Sequence, residues 1–277
     1  VPVQRLPQVD ARQERGCYCG DACVVSSKKS EEINVYWSPA AFCSEEMQWN
    51  LLYSEPKLVY NNLISDSEGK SLSIQCPATQ SVMKNLYSLH STVTDDFSFS
   101  RSELQEIEKD KSENVYKLNT DAKCALVRQR PSSHPGYVNV AYNLSWLMFA
   151  DQPLIARLSA PYYPASSPVE GAMLGIGEFD IGKWFRPLVL DYQIPVNATR
   201  FSVKEGQPLA FVEFFSKTKI NIHRFRMTKV IEEISNENEQ SPGRYGRRKT
   251  LEKKYEMFRR SGMKEVLMSE IKKNLVQ

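Results

Sequence analysis

The densest group of chemically capable side chains in this sequence lies between Asp180 and Asp191. Asp180, Lys183, Trp184 and Arg186 sit close together at the start of an apolar run, and Asp191 follows within it. A carboxylate, two cations and an indole at a loop-to-strand junction suit an anionic or planar ligand, because a guanidinium is a planar hydrogen-bonding fork and an indole a stacking face. The same residues also fit an architectural role, in which Trp184 and Phe185 fill a core while Asp180 and Arg186 pair to fix the loop. A second group, Cys17-Tyr-Cys19-Gly-Asp-Ala-Cys23, brings three thiols together. Zinc sites favour a two-residue knuckle and a second ligand pair. Here the spacing departs from that pattern, and Cys43, followed by Ser44-Glu45-Glu46, is the nearest further ligand. Cys17, Cys19 and Cys23 therefore read as reduced thiols in an extended arm, with a structural metal as the alternative.

Other chemistries find little support. The histidines are His90, His134 and His223, and none stands in the His-x-Asp/Glu arrangement of a two-His-one-carboxylate iron site or a cupin. There is no P-loop, no Gly-x-Gly-x-x-Gly before a helix and no Gly-x-Ser-x-Gly elbow. Gly171, Gly175 and Gly177 fit a strand-flanking turn better than a phosphate cradle. No cofactor is expected.

The elements that must position these residues follow from periodicity. The stretch Gly177–Phe215 holds three strands. In Arg186–Ile194, Leu188, Leu190, Tyr192 and Ile194 share one face; Phe201–Val203 is a shorter alternating strand ended by Glu205-Gly206. Leu209–Phe215 is apolar on both faces, which predicts an interior strand, with Pro208 at its start, where a missing N–H does least harm. Such short strands, closely spaced, indicate an antiparallel sandwich or jelly roll rather than βαβ units.

Elsewhere the pattern predicts strands at Ile33–Trp37, Leu58–Ile64, Leu86–Val93 and Tyr137–Phe149, the last being the longest. Leu154–Ser159 is expected to pair with that long strand across Asp151-Gln152-Pro153. Ser100–Asn114, highly charged and with little apolar stripe, reads as a surface helix, for which Ser102 is a candidate cap, or as a mobile excursion. Lys219–Phe225 alternates Ile220, Ile222 and Arg224 against Lys219, Asn221 and His223. Thr228 reads as the N-cap of a helix striped by Val230, Ile231 and Ile234, and Ser235–Gly246 as a linker. Thr250 caps a further helix carrying Leu251, Tyr255 and Phe258; Ser261-Gly262 breaks it, and Met263, Leu267, Ile271 and Leu275 continue the seam.

Length and charge narrow the classes. The chain has 277 residues, 41% hydrophobic and 25% charged, ordinary globular values with room for a sizeable core. No apolar run is long enough for a membrane-spanning helix. Val1–Arg15 is polar, without the apolar centre and cleavage site of a secretory leader. The net charge of +3 is unevenly placed: from Arg244 onward there are 11 Lys/Arg against 4 Asp/Glu, a surplus of 7, so the rest of the chain carries 3 − 7 = −4. A basic tail on a mildly acidic body is compatible with nucleic acid binding through residues 244–273, although a well-solvated helix face is the simpler reading.

Phe179-Asp180-Ile181-Gly182-Lys183-Trp184-Phe185-Arg186-Pro187, followed by Glu205-Gly206-Gln207-Pro208 and the Phe-rich strand, resembles an uncharacterised protein family of tailed phages, especially marine T4-like phages. Tyr36-Trp37-Ser38-Pro39, Leu51-Leu52-Tyr53-Ser54-Glu55-Pro56 and Gln75-Cys76-Pro77-Ala78 are similar to that family's N-terminal half. Lys253–Asn274, with Tyr255, Phe258, Ser261 and Met263, is similar to its C-terminal helices. The resemblance runs from about Ile33 to the end, leaves the Cys-bearing arm outside, and departs at Gln207, where the family pattern has Glu. It implies a β-rich fold and a phage setting, in the virion or the infected host cytoplasm, and brings no catalytic residues.

The expectation is thus a mainly β protein: an antiparallel sandwich or jelly-roll-like core over 33–225, an extended arm over 1–32 and a helical segment over 226–277. Its expected role is structural, through self-association or other phage proteins and without catalysis. The alternative is an auxiliary enzyme or host-interaction factor with a ligand pocket at Asp180–Arg186.

Overall fold

A computed structural model of the chain describes residues 32–40, 53–61, 76–98, 100–109, 116–117, 128–131, 134–162, 167–240 and 250–276. Glu32–Gln277 form one compact unit. Its elements begin with β1 (Ile33–Pro39), β2 (Lys57–Leu58), α1 (Pro77–Met83), β3 (Leu86–His90), β4 (Asp95–Ser98) and α2 (Arg101–Lys109). They continue through β5 (Tyr116–Lys117), β6 (Arg128–Pro131), β7 (Tyr137–Ala150), β8 (Ile155–Ser159), β9 (Met173–Leu174) and β10 (Gly177–Asp180). The last are β11 (Pro187–Pro195), β12 (Arg200–Val203), β13 (Pro208–Phe214), β14 (Ile220–Arg224), α3 (Lys229–Gln240), α4 (Leu251–Arg260) and α5 (Met263–Lys273).

The protein is mainly β, with antiparallel sheets and C-terminal helices, as the alternation predicts. One sheet runs β14-β1-β7-β11-β9, with β6 on β7 and β5 on β6; a second runs β10-β8-β13-β3-β2; β12 and β4 form a small ribbon. The pairing of β1 with β14 is parallel, whereas the other pairs are antiparallel.

The period of β7 explains the layers. Because successive side chains leave a strand on opposite faces, Val138, Val140, Tyr142, Leu144, Trp146 and Met148 enter a core shared with β13 and β8 of the second sheet. Leu147 and Phe149 turn the other way, onto Phe185, Ile231, Phe258, Leu267 and Ile271. From Ser145 to Ala150 the long strand is therefore buried on both faces, between the sandwich and a layer of helices. β13 has the same two-sided burial: Val212 and Phe214 face the main core, and Phe211 joins Val59, Met83 and Leu86 outside it.

Local predictions hold where local sterics decide. Leu188, Leu190, Tyr192 and Ile194 are all buried along β11. Gly206 takes φ +78 after β12, and Gly262 takes φ +69 between α4 and α5, backbone conformations that disfavour a Cβ. Thr228 and Thr250 cap α3 and α4 through the N–H groups of Ile231 and Lys253.

Several longer-range expectations are corrected. β8 does not fold back on β7; it pairs with β10 and β13, so the chain crosses between sheets at Asp151–Leu154. The three strands of Arg186–Phe215, whose mutual pairing the sequence left open, fall in three different sheets. Of the strand expected at Leu58–Ile64, Leu58 pairs, together with Lys57, while residues 59–61 turn helical, which brings Val59 onto Met83 and Phe211; residues 62–64 lie outside the described residues. Helix α2 starts at Arg101, and Ser102 lies inside it; Leu104, fully buried, anchors a helix expected to lie wholly at the surface. Within α3, Ile231 and Ile234 face the core but Val230 is exposed, and the helix runs to Gln240, well into the expected linker.

The helical layer is continuous with the sheet. Phe149 meets Phe185 at 5.8 Å and Phe258 at 6.0 Å between ring centroids, both edge-on. Phe258→Ala should therefore destabilise the whole unit by about 3–5 kcal/mol. Urea unfolding followed by tryptophan fluorescence and by helical circular dichroism should shift together; a shift in the helical signal alone would show that the helices are an independent layer.

Candidate functional site

The Asp180–Arg186 turn is where the chain returns from the second sheet to the first. β10 ends at Asp180, whose side chain is only 2% exposed as a residue. One carboxylate oxygen accepts the N–H groups of Leu154 and Gly182, each at 2.9 Å. The other pairs with Lys183 Nζ at 2.8 Å. The Asp180 backbone N–H donates to the hydroxyl of Tyr255 on α4 at 2.7 Å. The hydrogen bond and charge of Asp180 hold the Lys183 ammonium above its usual pKa. Burial is the main cause of a raised Tyr255 pKa.

Gly182 is dictated by proximity. A Cβ there would lie 2.0 Å from the carbonyl oxygen of Gln152. Its own carbonyl accepts Lys264 Nζ at 3.1 Å, so the turn is held between the Asp151–Leu154 crossing and the helices.

The remaining candidates face elsewhere. Trp184 is 5% exposed, with Lys254 Nζ 4.6 Å and Arg186 Cζ 5.1 Å from its ring and Phe179 edge-on at 5.8 Å. Phe185 is fully buried. Arg186 also donates from Nε to the Pro187 carbonyl. The four residues proposed from sequence are adjacent in the chain but divided in space. Asp180 is internal, and Lys183 borders a cavity of 590 Å³ with Tyr255, Arg259 and Lys264. Trp184 and Arg186 border another of 320 Å³ with Ile176 and Asp191, and Trp184 also walls a smaller one of 160 Å³.

Two polar arrangements lie outside that region. On β1 and β14, Asn34 Oδ1 lies 3.0 Å from His223 Nε2, while the Asn34 amide donates to Asp151 at 2.8 Å. An amide oxygen only accepts, so in this orientation His223 carries its proton on Nε2. The second is a cleft of 650 Å³ between the sheets, lined by Trp37, Leu58, Lys84, Tyr87, Lys219 and the β14 residues through Arg224. Its one signal in the sequence is Arg224, a cation in phase with Ile220 and Ile222 on a face otherwise apolar.

Among the described residues, no group of three His, Cys, Asp or Glu side chains is placed to hold a metal. Cys17, Cys19 and Cys23 lie outside the described residues, as do Cys43 and the basic residues 244–249. Cys76 is exposed at the start of α1, where hydrogen bonds from the Thr79 and Ala78 backbones lower its thiol pKa. Comparison with protein-family models, curated proteins and solved structures returned no match.

The turn's energetics separate its two charges. Asp180→Ala strips acceptors from two buried N–H groups and should cost about 3 kcal/mol. Lys183, with a side chain 51% exposed, should cost no more than about 1 kcal/mol on replacement by Ala. Equal losses for the two variants in denaturant unfolding would refute the backbone-anchoring role of Asp180.

Proposed function

We propose that this protein is a non-catalytic structural or interaction module of a tailed phage, associating with itself or with other phage proteins in the virion or in the infected host cytoplasm. The observation that carries the reading is the internal use of the chemically capable turn. Asp180 is consumed by backbone N–H groups and Lys183, and Trp184 and Phe185 are core side chains. The phage setting is drawn from the sequence resemblance alone. No helix of the described residues is long and apolar enough to cross a membrane.

A second reading has one observation in its favour. The 320 Å³ cavity places Arg186 and Asp191 beside the Trp184 ring, a set that suits a small anionic or planar ligand for an auxiliary enzyme or a host-interaction factor. Exposed Lys253, Arg259, Arg260, Lys272 and Lys273 on α4 and α5 offer a basic surface for nucleic acid, in which case binding would weaken steeply with salt.

Light scattering of the full chain and of a variant lacking residues 1–32 tests the first reading. A defined oligomer that dissociates on truncation is expected. A monomer indifferent to the truncation would sink self-association through the arm, and screening of anionic ligands with Trp184→Ala and Arg186→Ala as controls would then decide for the second.

A further inference from the structure

The 650 Å³ cleft lies where both sheets of the sandwich end on the same side. β14 closes the order of the first sheet and β2 that of the second, and the cleft is lined from both. The hydrogen-bond phase of β14 is fixed by two contacts: Ile33 N–H donates to the Lys219 carbonyl at 3.2 Å, and Phe225 N–H donates to the Trp37 carbonyl at 3.0 Å. In a parallel pair, alternate residues bond to the neighbour. Asn221 and His223 therefore face β1 with their backbone groups, whereas Ile220 and Ile222 turn their N–H and C=O outward. Among the described residues, no strand pairs with that outward edge.

This edge already accepts added backbone at one end. The Arg226 N–H donates to the Asn274 carbonyl at 2.8 Å, and Val276 N–H donates to the Arg224 carbonyl at 2.9 Å, an antiparallel bridge between Phe225 and Leu275. Among the described residues the bridge reaches no farther than Arg224, and Ile222 and Ile220 continue the edge along the cleft.

The chemistry of the walls specifies what would complete it. Trp37, Ile220 and Ile222 on one side and Leu58 and Tyr87 on the other offer an apolar floor. The charged lining is Lys84, Lys219 and Arg224 against Glu55, with Lys219 paired to Glu32 at 3.6 Å, so the surplus is positive by about one charge. Lys84 is tethered over the opening through the Lys217 carbonyl at 3.3 Å, and Arg224 lies 5.4 Å from the Trp37 ring centroid. Open N–H and C=O groups call for another peptide backbone, the apolar floor for side chains at every second position, and the cationic rim for carboxylates.

We propose that this cleft is a docking groove for an extended segment of a partner protein that alternates apolar and acidic residues and joins β14 as an added strand. The inference rests on the interaction reading above and names the class of partner. Such a strand would satisfy the outward groups of Ile220 and Ile222, place apolar side chains between Ile222 and Tyr87, and set its carboxylates against Lys84, Lys219 and Arg224. It would also cover an edge that is otherwise a template for unwanted pairing.

The probe is a random decapeptide library selected on the immobilised full chain, with selected peptides resynthesised and titrated by fluorescence anisotropy. Two variants report on the groove. Ile222→Pro deletes an outward N–H without removing a bond to β1, and Lys84→Glu with Lys219→Ala reverses the rim charge while leaving the strand intact. Enriched peptides should alternate apolar residues with Asp or Glu, and each variant should weaken them by about tenfold or more. Should Ile222→Pro fail to fold, as judged by circular dichroism, the charge variant alone decides. Peptides without alternation, or binding unchanged in the folded variants, would overturn the groove. A drop from oligomer to monomer in Ile222→Pro would also overturn it, since the occupant would then be a second copy. Arm-dependent oligomers with no peptide binding would discard the groove and leave the self-association reading standing.

Discussion

The carboxylate of Asp180 holds together two of the places where the chain changes sheets. Leaving β7, the backbone crosses to the second sheet at Asp151–Leu154; leaving β10, it crosses back at Ile181–Arg186. These crossings lie against each other: Ile181 N–H bonds to the Leu154 carbonyl at 2.9 Å, Ala150 N–H bonds to the Ile181 carbonyl at 3.3 Å, and Gly182 is pressed onto Gln152. Two crossovers packed together would leave N–H groups without ladder partners in a water-poor place, a costly arrangement. Asp180 accepts two of them, from Leu154 and Gly182, and Lys183 balances its charge. The absence of a Cβ at residue 182 is the steric half of the same constraint.

Consequences spread outward from that junction. By returning the chain to the first sheet, it places Trp184 and Phe185 at the border of sheet and helices and sets β11 along β7. The Tyr255 hydroxyl, accepting the Asp180 N–H, fixes α4 to the junction; Lys264 on α5 does so again through the Gly182 carbonyl. The C-terminal helices are thus bound to the sandwich by polar contacts at this junction, by the Phe149, Phe185 and Phe258 rings nearby, and again at the end of α5, where Asn274 and Val276 bond to Arg226 and Arg224. Lys253, Arg259, Arg260, Lys272 and Lys273 are left on the solvent side, while Phe258, Leu267 and Ile271 are taken inward.

That arrangement bears on function through what it uses and what it leaves open. Asp180 and Lys183, prominent in the sequence for their chemistry, serve as fasteners, while Arg186 and Asp191 border a cavity. Among the described residues, the ends of the two sheets at β14 and β2 bring outward backbone groups, apolar side chains and cations to one cleft.

The amino-acid sequence by itself determined the features whose physics is local. Period-two alternation marked β7, β11 and β14 because burial on one or both faces imposes that spacing; Gly206 and Gly262 marked turns because a positive φ disfavours a Cβ; Thr228 and Thr250 marked helix starts because a hydroxyl can satisfy an orphan N–H. The Asp180–Arg186 region was legible as important for the same reason, since charges beside an apolar run must be satisfied somewhere. Only the tertiary structure decided with what. That β8 belongs with β13 and not with its neighbour β7, that three successive strands enter three sheets, and that Lys84 faces Arg224 across a cleft all depend on which distant surfaces are buried together. Strand alternation says that one face is hidden but not which partner hides it, and a carboxylate's neighbours in space are set by crossovers that leave no periodic trace in the chain.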